Sequence, residues 1–191
     1  MNYLHNKIFL TTFSALTLAI SGLSVSNAQE SQAATPFIDG ESQSADDFIK
    51  ALKPKPRYKT RGIRFNNQNP EASPEPKAPT IAMGINFEYD SDALSEHAIT
   101  QLQPLGEALN SDELLSFSFK IDGHTDASGS EEYNMDLSRR RALSVGRHLY
   151  ETYGVNIDRL KLNGKGEAEL YDPQKPTSGI NRRVEITTLV Q

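Results

Sequence analysis

Apolar and polar positions alternate strictly along Leu115-Ser116-Phe117-Ser118-Phe119-Lys120-Ile121. A period of two predicts a strand that buries Leu115, Phe117, Phe119 and Ile121 on one face. The same alternation over residues 81–89 puts Ile81, Met83, Ile85, Phe87 and Tyr89 together on an earlier strand. Between the two, Leu94, Ala98, Leu102, Leu105 and Leu109 recur at near-helical spacing, and Ser95 stands where an N-cap belongs. Pro104 lies inside that helix and predicts a kink, because proline removes a backbone hydrogen bond. A second helix is predicted over residues 131–153, with Ala142, Val145 and Leu149 on its apolar side and Gly154 ending it. An interruption is expected at Leu137-Ser138, where Ser138 would cap the second piece. Short strands over 159–163 and 183–187, joined by a loop containing Pro173, Pro176 and Gly179, complete the pattern.

This order predicts an α/β (α+β) two-layer sandwich, β-α-β-α-β-β. The strand–helix–strand units should form parallel pairs, and right-handed crossovers should set both helices on one face of a mixed sheet.

The pattern before residue 80 differs. Residues 8–25 are apolar after a short, mildly basic start, and Ser26-Asn27-Ala28 offers small residues at the −3 and −1 positions. A signal peptide over 1–28, cleaved after Ala28, is favoured over an uncleaved anchor because of the Thr, Ser and Gly within the apolar run. Residues 29–79 read as a flexible N-terminal arm. Within it, residues 44–52 predict one short amphipathic helix, capped by Ser44 and apolar at Phe48, Ile49 and Leu52, whose segment from Asp46 to Leu52 reads equally as a contact for an envelope protein partner or as an incidental local helix. Pro54 and Pro56 end it, and Pro70, Pro74, Pro76 and Pro79 make a stiff spacer. From Lys50 to Arg64 stand Lys50, Lys53, Lys55, Arg57, Lys59, Arg61 and Arg64 with no acid among them. That run reads either as a solvated linker or as an electrostatic contact with anionic wall polymer or lipid head groups. The arm is too short to build a membrane β-barrel, whose strands repeat in units of about 9–11 residues. The organisation expected is therefore signal 1–28, arm 29–79 and folded domain 80–191.

With 191 residues, 37% of them hydrophobic, the chain suits one compact domain plus a tail. The net charge of −5 does not resemble a nucleic-acid binder. Without cysteine there is no disulfide, no thiol nucleophile, no Cys-ligated zinc and no site for bacterial lipid anchoring. His124 has no second histidine at ligand spacing, so neither a metal nor a cofactor is expected, and it reads as a satisfied loop histidine. Gly164-Lys165-Gly166 lacks the pattern of a phosphate-binding loop. No nucleophile elbow is present, so the chain is not read as an enzyme.

Chemistry concentrates between residues 121 and 142. A strand ends in Gly123-His124-Thr125-Asp126, and the following helix returns an Arg139-Arg140-Arg141 run toward the same loop. A carboxylate at a strand end and a guanidinium on the next helix read either as an ordinary surface ion pair or as a receptor for a zwitterion, in which the acid takes an ammonium while the arginine forks two donors onto a carboxylate.

These residues also carry a family resemblance. Phe87-Glu88-Tyr89-Asp90, Gly123-His124-Thr125-Asp126, Tyr133-Asn134, Leu137-Ser138, Arg141-Ala142, Gly154-Val155, Arg159-Leu160, Gly164-Lys165-Gly166-Glu167 and Asn181-Arg182-Arg183-Val184-Glu185 stand in one order. In that order they resemble OmpA-like (OmpA/MotB C-terminal) domains, over residues 80–189. The resemblance implies a periplasmic, cell-wall-associated module that binds peptidoglycan non-covalently through the diaminopimelate of its stem peptide. It selects Arg141 as the partner of Asp126, fifteen positions earlier, and adds Arg182, Asn134, Thr125, Asp90 and Leu137 to the ligand site, with Arg183 facing elsewhere. Gly179-Ile180-Asn181 is shorter than the family's usual approach to this arginine pair. Two other readings remain, a membrane-anchored stator-like envelope component and a periplasmic hydrolase using Asp126 with His124.

Overall fold

The computed structural model describes residues 35–38, 43–55, 77–88 and 91–190. The expected signal segment, most of the basic and Pro-rich run, Tyr89 and the candidate ligand residue Asp90 lie outside the described residues. The described strands are β1 (Phe37–Ile38), β2 (Thr80–Met83), β3 (Ser118–His124), β4 (Leu160–Gly166) and β5 (Val184–Leu189). They form one mixed sheet in the order β1-β2-β5-β3-β4. The helices are α1 (Ala45–Leu52), α2 (Glu96–Leu109) and α3 (Glu131–Tyr153). α3 packs over β3 and β4, α2 packs beside α3, and α1 beside α2.

Among the described residues the β3-α3-β4 unit forms a parallel pair, with Phe119 opposite Leu160 and Ile121 opposite Leu162. The β2-α2-β3 unit does not. β5 lies between β2 and β3 and is antiparallel to both, so only one of the two expected parallel pairs exists. Val184, Ile186 and Thr188 are all buried, so one face of this inserted strand lies in the core.

The stretches expected to form a free arm are built into this unit. Phe37 and Ile38 pair in parallel with Ala82 and Met83. Phe37 also meets the ring of Tyr171 edge-on at 5.2 Å, while the Tyr171 hydroxyl donates to the Thr35 carbonyl at 3.0 Å. Ser44 and Asp47 form the reciprocal capping box that starts α1. The helix buries Phe48 and Leu52 completely, and Thr188 Oγ1 donates to the Leu52 carbonyl at 2.7 Å. The apolar face that reads as a partner contact or an incidental helix is therefore spent within the domain itself.

Three further expectations change. The β3 strand begins at Ser118, not Leu115; residues 111–116 turn instead, which buries Leu114 and leaves Leu115 exposed. β2 ends at Met83, and beyond it Phe87 makes only an isolated bridge to Leu94. Finally, α3 runs unbroken through Leu137-Ser138, and its N-cap is Ser130. Ser138 is no cap: its hydroxyl donates to the Met135 carbonyl at 2.8 Å and accepts the Gly166 amide at 2.9 Å, tying the middle of α3 to the end of β4. α2 likewise continues through Pro104.

Close packing of α3 on the sheet rests on two strand glycines. A Cβ on Gly123 would collide with the Ser138 carbonyl, and one on Gly164 would come within 2.5 Å of the Arg139 nitrogen. Arg159, in a short 3-10 turn before β4, donates to the carbonyls of Leu109, Leu114 and Phe117 at 2.8–2.9 Å. It thereby satisfies the end of α2 and the approach to β3.

Candidate functional site

The β3–β4 register shifts between Gly123 and His124, and the chain leaves the sheet there. Thr125 donates its amide to the Gly166 carbonyl at 2.9 Å, which fixes the start of the loop to β4. Asp126 follows, and its Oδ1 accepts the Ser128 amide at 3.0 Å in an Asx turn. Because α3 is continuous, Asn134, Leu137 and Arg141 fall at spacings of three and four and share one side of the helix. The chain after β2 supplies Phe87 and Glu88, and the turn before β5 supplies Arg182. Together with Thr125, Asp126, Ser128 and Tyr133 these residues enclose a cavity of about 550 Å³.

Asp126 and Arg141 both line this cavity but are not bonded to each other. Asp126 Oδ2 accepts from Arg182 at 2.6 Å instead. Burial pushes the Asp126 carboxyl up, but the Arg182 hydrogen bond and the Ser128 amide and hydroxyl outweigh it, so the net shift is below its ordinary value. Arg141 Nε donates to the Ser91 carbonyl at 3.3 Å, and its guanidinium lies 4.7 Å above the Phe87 ring. Burial and the nearby Arg182 charge lower the Arg141 pKa, opposed by Tyr133 and Asp126. An arginine so shifted is still a cation at neutral pH.

The remaining predicted residues divide between wall and framework. Thr125 is 2% exposed, and its hydroxyl has no partner among the described residues. Leu137 forms an apolar part of the wall. Asn134 is a fastener: its amide donates to the carbonyls of Asp126 and Ser128 at 3.2 and 3.0 Å and to Glu167 at 2.5 Å. Asn181 does the same for the adjoining loop, donating to the Lys175 and Pro176 carbonyls at 2.9 and 3.1 Å. Pro176 in turn accepts the Ala127 amide at 3.0 Å. Arg182 and Arg183 point apart. Arg183 is buried, pairs with Glu185 at 2.7 Å and lies 5.5 Å from the Tyr171 ring.

His124 is neither on a loop nor satisfied. It is the last residue of β3, 1% exposed, and neither ring nitrogen has a hydrogen-bond partner among the described residues. It does not line the cavity that holds Asp126. Ser128, Phe87, Glu88 and Tyr133 escaped the reading of the sequence as wall residues. The Asp-x-Ser spacing of an Asx turn was a signal for Ser128. Nothing local announces that Phe87 lies under a guanidinium 54 positions away.

The sequence matches the profile described as the OmpA family over residues 86–183, just over half of the chain. It is 32% identical over 107 residues to outer membrane porin F of Pseudomonas aeruginosa, covering 55% of this chain and 30% of that protein. It is 36% identical over 104 residues to the peptidoglycan-associated lipoprotein of the same organism, covering 52% of this chain and 58% of that one. Both matches therefore span less than two thirds of the relative's length. Among solved structures, the periplasmic domain of Helicobacter pylori MotB (residues 78–256) superposes with a TM-score of 0.52 at 20% identity, covering 60% of this chain and 78% of that one, a likeness of fold.

Proposed function

The chain belongs to the OmpA family, and from that premise we propose that it is a non-enzymatic module that holds peptidoglycan through the diaminopimelate of the stem peptide. One observation carries the reading: a single cavity gathers a buried carboxylate, Asp126, with Glu88 exposed at its border, and two guanidiniums, those of Arg141 and Arg182, around an apolar wall at Leu137. The unattached end of diaminopimelate carries an ammonium and a carboxylate on one carbon. Asp126 accepts the ammonium and Arg141 forks the carboxylate, so charge, distance and handedness are read together. The unpartnered Thr125 hydroxyl adds a hydrogen bond, and the ligand's methylenes cover Leu137. Each charge-assisted bond contributes roughly 1.5–3 kcal/mol. That gives a modest affinity for one stem, which the repeating wall polymer raises by rebinding.

A relative named a peptidoglycan-associated lipoprotein supports this reading. On this reading the protein acts in the periplasm against the wall, after removal of residues 1–28 as a signal. The test is co-sedimentation with purified sacculi. The wild type should pellet with them, while Asp126→Ala and Arg141→Ala should each stay in the supernatant with an unchanged circular dichroism spectrum. Because both residues serve one ligand, the double variant should lose little more than either single one. Undiminished co-sedimentation of both single variants would sink the assignment.

A further inference from the structure

The acid expected to receive an ammonium already has protein partners on both oxygens. Arg182 holds Asp126 Oδ2 at 2.6 Å, and the Ser128 amide holds Oδ1 at 3.0 Å. An incoming ammonium therefore meets a guanidinium of like charge on the same oxygen. The second guanidinium is differently placed: Arg141 is half-buried, braced by the Ser91 carbonyl and stacked on Phe87. Arg182 is the movable one. Its side chain is 51% exposed, and it lies against Gly179, where a Cβ would stand 2.9 Å from its terminal nitrogen. Its backbone is held in place by donating to the Gly179 carbonyl at 3.0 Å, so only the side chain has room to turn.

Displacing Arg182 costs its bond to Asp126 unless the ligand offers the guanidinium another anion. A ligand end with one ammonium and one carboxylate satisfies Asp126 and Arg141 and leaves Arg182 unpaired. A second carboxylate satisfies all three. Glu88 also borders the cavity, but it is exposed to water, where its charge is screened. We propose that Arg182 is a specificity-determining residue that makes the pocket prefer stem peptides ending at diaminopimelate, in which two carboxylates accompany one ammonium. In stems extended by a further amino acid that carboxylate is an amide and the terminal charge stands one residue further from Arg182, so they bind less well. This inference rests on the wall-binding reading given above and names which stems that site selects.

The experiment uses two soluble peptides, L-alanyl-γ-D-glutamyl-meso-diaminopimelate and the same peptide extended by D-alanine, titrated calorimetrically into the protein. The wild type should bind the shorter peptide about tenfold more tightly, the worth of one charge-assisted hydrogen bond. Arg182→Ala and Arg182→Gln should bring the two affinities within about twofold of each other. They should do so by weakening the shorter peptide while the longer one binds as well as before or better, since Asp126 is then unoccupied. Equal affinities in the wild type, an undiminished preference in both Arg182 variants, or loss of both peptides from folded Arg182 variants would each overturn the inference while leaving wall binding intact. Failure of the wild type to bind either peptide would overturn the wall-binding reading and this inference with it.

Discussion

His124 shows how a single residue can be misread when only its neighbours in sequence are known. It follows Gly123 and precedes Thr125, which suggests a loop, yet the β3–β5 ladder extends to Gly123 and the His124 amide still bonds to the Arg183 carbonyl at 2.9 Å. The ring is thereby buried among Asp122 on its own strand, Arg183 just before β5, Glu185 on β5, Lys165 on β4 and Glu169 in the loop that follows. Burial foremost, and then the Arg183 charge, lower its pKa to about 4, against the pull of Glu169 and Asp122. The folded chain thus refuses a proton that the unfolded chain accepts between about pH 6.5 and 4. Stability is unaffected above that window, falls as the pH drops through it, and levels off below about 4. The loss should approach about 3 kcal/mol. Urea unfolding at pH 7 and pH 4.5 should show most of this drop in the wild type, and His124→Gln should remove it. A drop of the same size in His124→Gln would assign the acid sensitivity to other groups. Asp126 contributes separately: its lowered pKa gives stability that is present above the ordinary carboxylate range and lost only as the pH falls through its folded value. The acid and the arginine of the pocket were legible in the sequence because they sit in local motifs. The Arg182 contact to Asp126 was not, since it joins residues 56 positions apart across a turn whose path no local pattern fixes.

At the scale of elements, the caps were legible. Ser44, Ser95 and Gly154 mark helix ends in both sequence and structure, because their side chain or lack of one satisfies or permits the terminal backbone. Ser138 misled for the same reason, since a serine hydroxyl that could cap a helix can also bond across to a strand. The alternation at Leu115 was equally ambiguous: period two was real, but the first apolar position belongs to a turn. The place of β5 between β2 and β3 was invisible locally, because alternation tells which face is buried and not which strands are neighbours. The unbroken α3 is what puts Asn134, Leu137 and Arg141 on one wall, and its height above the sheet is set where Gly123 and Gly164 meet Ser138 and Arg139. Gly164→Ala drives a methyl into helix backbone and should cost about 1–3 kcal/mol or more by overpacking. Because the helix carries the wall residues with it, this variant should also lose sacculus binding. Arg141→Ala should instead lose binding with little change in melting temperature. A Gly164→Ala protein with wild-type stability and binding would show that the contact is not a determinant of helix position.

The molecule as a whole is larger than the block of family motifs within it. The pattern sets the folded domain at residue 80, yet the compact unit spans Ala34–Gln191. Two ties hold the earlier residues in place: β1 pairs with β2, and α1 buries Phe48 and Leu52 in the core with its last carbonyl bonded to Thr188. Neither tie was legible, because an eight-residue amphipathic helix reads identically whether its apolar face meets a partner or its own domain. The walls of the pocket, in contrast, come from residues between Phe87 and Arg182. Stability and binding should therefore separate along the chain. Removing residues 1–79 strips the burial of Phe48 and Leu52, each worth about 1.5–3 kcal/mol, together with an edge strand. Such a chain should melt well below one that begins at Thr35. Phe48→Ala in the full chain should cost about 3–5 kcal/mol, the range for emptying a buried aromatic site. Below its own melting temperature, however, each of these proteins should still pellet with sacculi, since no wall of the cavity has been removed. Equal melting temperatures for chains starting at Thr35 and Thr80 would show that the segment from Thr35 to Leu52 packs on the domain without stabilising it. Loss of sacculus binding from the folded, shorter chain would move part of the wall contact into the residues before Thr80.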